Sequence, residues 1–285
     1  MDRRIMPALR GRPAGSFVMQ MSKGYVDTDY LDRTAERLSA VKQRTYSHLR
    51  LAAGHRVLDV ACGVGFDTIA MASMVGPTGR IIGVDHDAAM VAEAQRRAAV
   101  AGCSRWVTHQ TADAVLLPFD DESFDGVRCE RLFQHLRGPD AVLAEIARVT
   151  KPGGRVVVAD TDWGTLSLHS REANIERRLA QCNAEHCYNN GYSGRLLPGF
   201  FKQCDDLADV TIEGFSGFID DYRFAREILV LDQVEEEALR SQVITPDELD
   251  RWRVDLQDLD KRGAFFASIT AVVVLARKIR RPSME

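Results

Sequence analysis

Hydrophobic and polar positions along this chain change period several times, and the changes mark its elements. From Tyr30 to Leu49, the residues Leu31, Ala35, Leu38, Val41 and Leu49 fall on one side and charged residues on the other, which predicts an amphipathic helix. Beyond it, short apolar runs alternate with longer stretches of helical period. The runs Arg56–Val60, Arg80–Val84, Trp106–Gln110, Phe124–Cys129 and Arg155–Asp160 read as strands. The stretches Phe66–Met74, Ala88–Ala101 and Ala141–Val149 read as helices. Gly76-Pro77-Thr78-Gly79 is a turn, and Gly102 sits where a helix of this length needs a left-handed residue to stop. Alternation of this kind builds a parallel sheet covered by helices on both faces.

The pattern loosens after Asp160. Arg171 to Asn190 is a polar helical stretch, broken by Gly191-Tyr192-Ser193-Gly194. An apolar patch with a proline follows, Leu196 to Phe201, and then a short strand, Val210–Ile212. Asp221 to Leu259 reads as two helices broken near Thr245-Pro246, with Thr245 as a cap for the second. Phe265 to Ala276 is a last, valine-rich strand. There is no internal repeat and no low-complexity segment.

The chemistry is carried by the junction of the first strand and helix. Asp59-Val60-Ala61-Cys62-Gly63-Val64-Gly65 runs from an apolar strand into a turn of small residues, where a ligand can lie against the backbone and meet the free N–H groups of the next helix. The second strand ends in Asp85, about the 20 residues downstream expected of an acid that accepts from ribose hydroxyls. Lys151-Pro152-Gly153-Gly154 is a turn into the fifth strand. Together these motifs resemble the class I S-adenosylmethionine-dependent methyltransferases, closest to the ubiquinone/menaquinone-biosynthesis-type group and its relatives in natural-product pathways. The resemblance is strong over roughly residues 50 to 162, with one departure: Ala61 stands where the family's first glycine is usual.

The resemblance implies an α/β, Rossmann-like, doubly wound sheet of seven strands, the last antiparallel, with helical insertions forming a lid over the acceptor. It divides the chain into a tail (1–24), a cofactor-binding core with a covering helix (25–163), a lid insertion (164–206), and the last two strands (207–285) with a helical insertion at 217–262. It implies S-adenosylmethionine as cofactor and S-adenosylhomocysteine as product. The expected cofactor contacts are Asp59, Ala61, Gly63 and Gly65 at the turn, and Asp85, His86 and Met90 around the ribose and adenine. Asp113 and Ala114 follow the third strand, at the adenine amino group, and Glu130 and Arg131 follow the fourth, along the methionine part. On the covering helix Tyr25, Tyr30 and Arg44 are candidates, Arg44 for the methionyl carboxylate. His135, His169 and Tyr192 are the candidate bases for an acceptor that must lose a proton. Asp160, Asp162, Trp163 and Phe133 are candidates for the acceptor pocket; Phe200, Phe201 and Trp252 are walls of that pocket or core of the lid.

Composition narrows the partners. The net charge of -4 lacks the basic surplus of a nucleic-acid binder. No apolar run reaches the roughly 18 residues of a spanning helix. The first 24 residues have no continuous apolar stretch and do not read as a secretory signal. The six cysteines include no C-x-x-C pair, which predicts reduced thiols in a cytoplasmic protein and no metal, although Cys182, His186 and Cys187 share helical spacing. The expected partner is a small-molecule acceptor; a homodimer is left open. Two other readings stay open at this point: an NAD-dependent oxidoreductase using the same turn, and a non-catalytic partner protein that keeps the fold.

Overall fold

The computed structural model describes residues 39–280. The expected tail and the candidates Tyr25 and Tyr30 lie outside the described residues. The first described helix, α1 (Ser39–Leu49), is the end of the predicted covering helix. The core then runs β1 (Arg56–Val60), α2 (Phe66–Val75), β2 (Arg80–Asp85), α3 (Ala88–Val100), β3 (Val107–Thr111), β4 (Phe124–Glu130), α4 (Pro139–Val149) and β5 (Thr150–Leu168). After β5 come α5 (Ala173–Cys182), a π-turn (Asn183–Cys187), α6 (Ser193–Gln203), β6 (Leu207–Ile219), α7 (Tyr222–Ile228), α8 (Leu231–Arg240), α9 (Pro246–Lys261) and β7 (Ala267–Lys278).

The seven strands form one sheet in the order β3-β2-β1-β4-β5-β7-β6. β1 to β5 are parallel, and β7 runs antiparallel to both β5 and β6. Period-two alternation splits the central strands between two cores. Val156, Val158, Val274 and Ala276 face α4 and α6 on one side. Val157, Ala159, Val273 and Leu275 face α1, α2 and α3 on the other. Both sets are buried, which is why these strands read as continuous valine runs.

Three elements differ from the sequence reading. β5 continues eight residues past Asp160, pairing with β7 out to Leu168↔Ala267, and β6 is far longer than Val210–Ile212. The extra residues mix large apolar side chains (Trp163, Leu166, Leu168, Phe215, Phe218) with glycine and polar ones without a strict alternation, so periodicity missed them. Leu196–Phe201 is part of a helix despite Pro198: α6 sets Leu197 and Phe201 into the sheet core, so it belongs to the sheet rather than to an inserted lid. The stretch 221–259 holds three helices, because Val230 turns left-handed (φ 52°) and separates α7 from α8. The break at Thr245 is as expected: its hydroxyl accepts from the Glu248 amide while the Glu248 carboxylate accepts from the Thr245 amide.

A third buried cluster lies beyond the sheet. It joins Trp163, Leu166 and Leu168 of the β5 extension to α5, α7, α8 and α9, with Trp252 at 1% exposure. This cap has its own core, which makes Trp252 a packing residue.

Candidate active site

At the carboxyl end of β1 the chain turns three times into left-handed backbone, at Ala61 (φ 59°), Gly63 (φ 51°) and Gly65 (φ 81°). An alanine tolerates this region at a cost of about 1 kcal/mol. At Gly65 a methyl would be crowded as well as strained, since a Cβ there would lie 3.0 Å from His109 Nε2 and 3.0 Å from the Ala94 methyl. The turn opens on a cleft of about 390 Å³ of empty space, part of it open solvent. Its walls are residues 61–64, Phe66 and Asp67 on one side, Glu130 and Arg131 on another, and Lys42 from α1.

Asp85 locks the turn from β2. Its Oδ2 accepts from the Gly63 amide (2.9 Å) and its Oδ1 from the Asp87 amide (3.0 Å). A carboxylate has about four lone-pair sites, so acceptor capacity for a ligand hydroxyl remains. His86 Nδ1 lies 3.2 Å from Asp85 Oδ1, and this contact raises its pKa. Behind the turn, Thr68 has one hydroxyl proton and gives it to the Gly65 carbonyl (2.8 Å). The contact with His109 Nε2 (2.8 Å) must then be donated by the ring. Burial lowers the His109 pKa to about 4, so the ring is neutral. Neither Thr68 nor His109 was found from the sequence; a histidine inside a buried strand, one turn of contacts away from a glycine motif, was the available signal.

The floor of the cleft is a buried ionic cluster. Arg128, 1% exposed, donates from Nε to Thr45 Oγ1 (2.9 Å) and from Nη1 to Asp59 Oδ1 (3.1 Å), and pairs with Asp67 and Glu130. Lys42 Nζ donates to Asp67 Oδ2 and Glu130 Oε1, both at 2.8 Å, and Tyr46 also donates to Asp67. Three carboxylates thus share two buried cations, with Arg131 Nε 3.6 Å from Glu130 at the rim. Burial works to raise Asp67 and Glu130, but Arg128 and Lys42 outweigh it and hold both below the usual carboxylate range. Asp59 goes the other way: burial pushes it up to about 7 against the pull of Arg128. Its Oδ2 is buried without a hydrogen-bond partner.

The Asp59 shift has a definite sign. An unfolded aspartate titrates near 3.9 and the folded one near 7, so the folded state holds the proton more tightly. This contribution to stability is complete below about pH 4 and is lost as pH rises through about 7. Asp59→Asn keeps an acceptor for Arg128 and places an amide at the unpartnered oxygen. Urea midpoints measured from pH 5 to 8 are expected to fall less steeply for this variant than for wild type; parallel curves would show that Asp59 does not titrate there.

The other expected site residues are placed as follows. Met90 is buried in the first turn of α3. Asp113 is exposed, with Oδ1 accepting from the Val115 amide (3.0 Å), and Ala114 beside it is half-buried. Arg44 does not reach the cleft. Residues two apart on a helix point about 200° apart, so Lys42 faces the cleft while Arg44 forms a bidentate pair with Glu213 of β6. Lys42 is therefore the cation of α1 at the cleft. His135 sits in a 3₁₀ turn (Phe133–His135) after β4. Phe133 is fully buried in the sheet core, Phe201 with it, and Phe200 is partly buried at its edge. His169 is exposed at the end of β5, its Nδ1 3.0 Å from the Ala264 carbonyl, and does not line the cleft. Tyr192 donates to Glu185 (3.1 Å) with its ring against Arg195, and burial and Glu185 raise its pKa. Asp160 is buried beneath the 3₁₀ turn, and burial pushes it up to about 7 against the Gln134 and Thr161 amides. Asp162 pairs with Arg195.

Among the described residues, no three or more His, Cys, Asp or Glu are grouped to hold a metal ion, and no helix is long and apolar enough to cross a membrane.

A family model described as a methyltransferase domain matches residues 51–204. The chain is 31% identical over 256 residues to an uncharacterised 37.1 kDa protein in transposon Tn4556 of Streptomyces fradiae, covering 88% of this chain and 71% of that one. It is 35% identical over 124 residues to a demethylmenaquinone methyltransferase of Lactobacillus johnsonii, covering 44% of this chain and 51%, about half, of the relative. Its fold is that of a geranyl diphosphate C-methyltransferase from Streptomyces coelicolor, whose structure holds Mg2+, geranyl diphosphate and S-adenosylhomocysteine (TM-score 0.55, 20% identity, 90% of this chain and 86% of that one). The family match takes in more than half of the chain and every wall of the cleft except Lys42. On that match the chain belongs to the methyltransferase-domain family, as an S-adenosylmethionine-dependent methyltransferase.

Proposed function

We propose that this enzyme methylates an oxygen, nitrogen or carbon atom of a small organic acceptor, in natural-product or quinone-type metabolism in the cytoplasm. The observation that carries the reading is the cleft itself, a left-handed turn closed by Asp85 above a buried cluster of three carboxylates and two cations. These residues fit the cofactor. The acidic floor complements a ligand with an ammonium and a sulfonium, Lys42 and Arg131 suit its carboxylate, and Asp85 suits its ribose hydroxyls. When bound, the cofactor supplies an electrophilic methyl group on sulfur.

The chain supplies alignment and exclusion of water. Displacement at a methyl needs nucleophile, carbon and leaving sulfur held in line, and alignment of this kind is worth about 7–11 kcal/mol. In the β5 extension, Trp163 stacks on Tyr188 with ring centroids 4.6 Å apart, which ties the sheet to the cap. Calorimetric titration with S-adenosylmethionine and S-adenosylhomocysteine is expected to show micromolar binding of both. Methylation assays across phenols, amines and activated carbon acids then find the acceptor class. Binding of NADH and of neither adenosyl ligand would overturn the reading.

A further inference from the structure

Gln134 lies between two rings and joins them by hydrogen bonds. The indole Nε1 of Trp163 is 2.8 Å from Gln134 Oε1, and His135 Nε2 is 3.0 Å from Gln134 Nε2. Gln134 itself is held rigidly: its amide donates to Asp160 Oδ2 (2.9 Å), its carbonyl accepts from the Asn190 amide (2.9 Å), and its side chain is 5% exposed. Trp163 is fixed as well, stacked on Tyr188 with its amide donating to the Gly191 carbonyl.

The protons follow from chemistry. An indole N–H only donates, so the carboxamide oxygen must face Trp163. The carboxamide NH2 therefore faces His135, and an NH2 only donates. His135 Nε2 must accept, and the proton of the neutral ring is at Nδ1. Protonating Nε2 would set two donors head to head at 3.0 Å. Turning the carboxamide over would set its NH2 against the indole N–H instead. Either way a hydrogen bond is lost, half-buried at His135 or buried at the indole.

We propose that Gln134 is a positioning residue that locks His135 as the neutral, Nδ1-protonated tautomer with its Nε2 lone pair committed inside the protein. His135 then takes no proton from an acceptor at Nε2. In the methyl-transfer reading given above, on which this consequence rests, the acceptor reaches the site ionised or loses its proton to another group. Among the titratable groups near this pair, Asp160 lies behind Gln134 and accepts from its amide, and the Tyr188 ring centroid is 5.9 Å from that of His135. Arg131 also accepts from Gln134 Nε2 through its carbonyl (3.4 Å), which holds the carboxamide in the same sense.

The test is long-range proton–nitrogen NMR of the full chain, labelled with nitrogen-15 in histidine and titrated from pH 5 to 8, with no cofactor or acceptor needed. Wild type is expected to show His135 as the Nδ1–H tautomer, binding its second proton at least about tenfold less tightly than a free imidazole of pKa near 6.5. In Gln134→Glu the carboxylate accepts from both rings, and His135 should become Nε2-protonated and bind its proton at least about tenfold more tightly than in wild type. If that variant does not fold, Trp163→Phe removes the indole donor and leaves the long Arg131 contact (3.4 Å) to hold the carboxamide, so a larger share of the Nε2–H tautomer than in wild type is expected. An Nε2–H tautomer in wild type, ordinary titration near pH 6.5, or a Trp163→Phe spectrum identical to wild type would overturn the proposal. None of these outcomes depends on whether the chain methylates anything.

Discussion

Arg128→Met is expected to lower folding stability by about 3–5 kcal/mol at pH 8, the cost of removing one partner from a buried ionic cluster. Among the described residues, Arg128 is the one guanidinium that touches Asp59, Asp67 and Glu130 together, and it is 1% exposed. Without it, Lys42 still meets Asp67 and Glu130 and Arg131 stays at the rim beside Glu130, but Asp59 loses its cation. Methionine fills the volume but supplies no donors for Thr45 Oγ1 or Asp59 Oδ1. The loss should shrink toward pH 5, because the orphaned carboxylates then take up protons, Asp59 first since it already lies highest at about 7. The double variant Asp59→Asn with Arg128→Met should recover part of the loss, since a neutral group then meets a neutral group; the shortfall from additivity measures the pair. Urea midpoints for wild type and the three variants at pH 5 and 8 give all of these values. A change below about 1 kcal/mol for Arg128→Met at pH 8 would mean that water reaches the cluster and screens it.

The cluster also shows where sequence reading stops. β1, β2, β4 and the glycine turn were legible because buried parallel strands are continuous apolar runs, and a left-handed turn needs glycine at Gly63 and Gly65. Asp85 was legible because its place is fixed by the strand it ends. Arg128 was not, since an arginine inside an apolar strand carries no mark of the carboxylates that neutralise it; these come from β1, α2 and the end of β4 itself. Lys42 and Arg44 sit two residues apart on one amphipathic helix, and which of them turns inward depends on how α1 is rotated on the sheet. That rotation is set by Tyr46 and Leu49 packing into the sheet core, a tertiary fact. The β5 extension was hidden for a related reason. It pairs with β7 and carries the cap, so Trp163, Leu166 and Leu168 answer to α5 and α9 rather than to a two-residue period.

Asp85→Ala is expected to weaken S-adenosylmethionine binding by at least tenfold. A hydrogen bond to a charged group is worth roughly 1.5–3 kcal/mol, which corresponds to about a 10- to 150-fold change in affinity. Two losses contribute and they are separable. One is the acceptor offered to the ribose hydroxyls. The other is the brace on the turn, since the Gly63 and Asp87 amides lose their carboxylate together. Asp85→Asn keeps one acceptor for the turn but offers the ribose a weaker, uncharged one, so its affinity should fall between wild type and Asp85→Ala. An S-adenosylhomocysteine analogue lacking the ribose 2′-hydroxyl isolates the first loss. Wild type should bind it more weakly than the parent ligand, whereas Asp85→Ala should scarcely distinguish the two. If Asp85→Ala weakens both ligands equally and keeps the discrimination, Asp85 acts only by holding Gly63. If its affinity for S-adenosylmethionine is unchanged, the cofactor does not reach the end of β2, and the ribose must lie elsewhere along the carboxyl edge of the sheet.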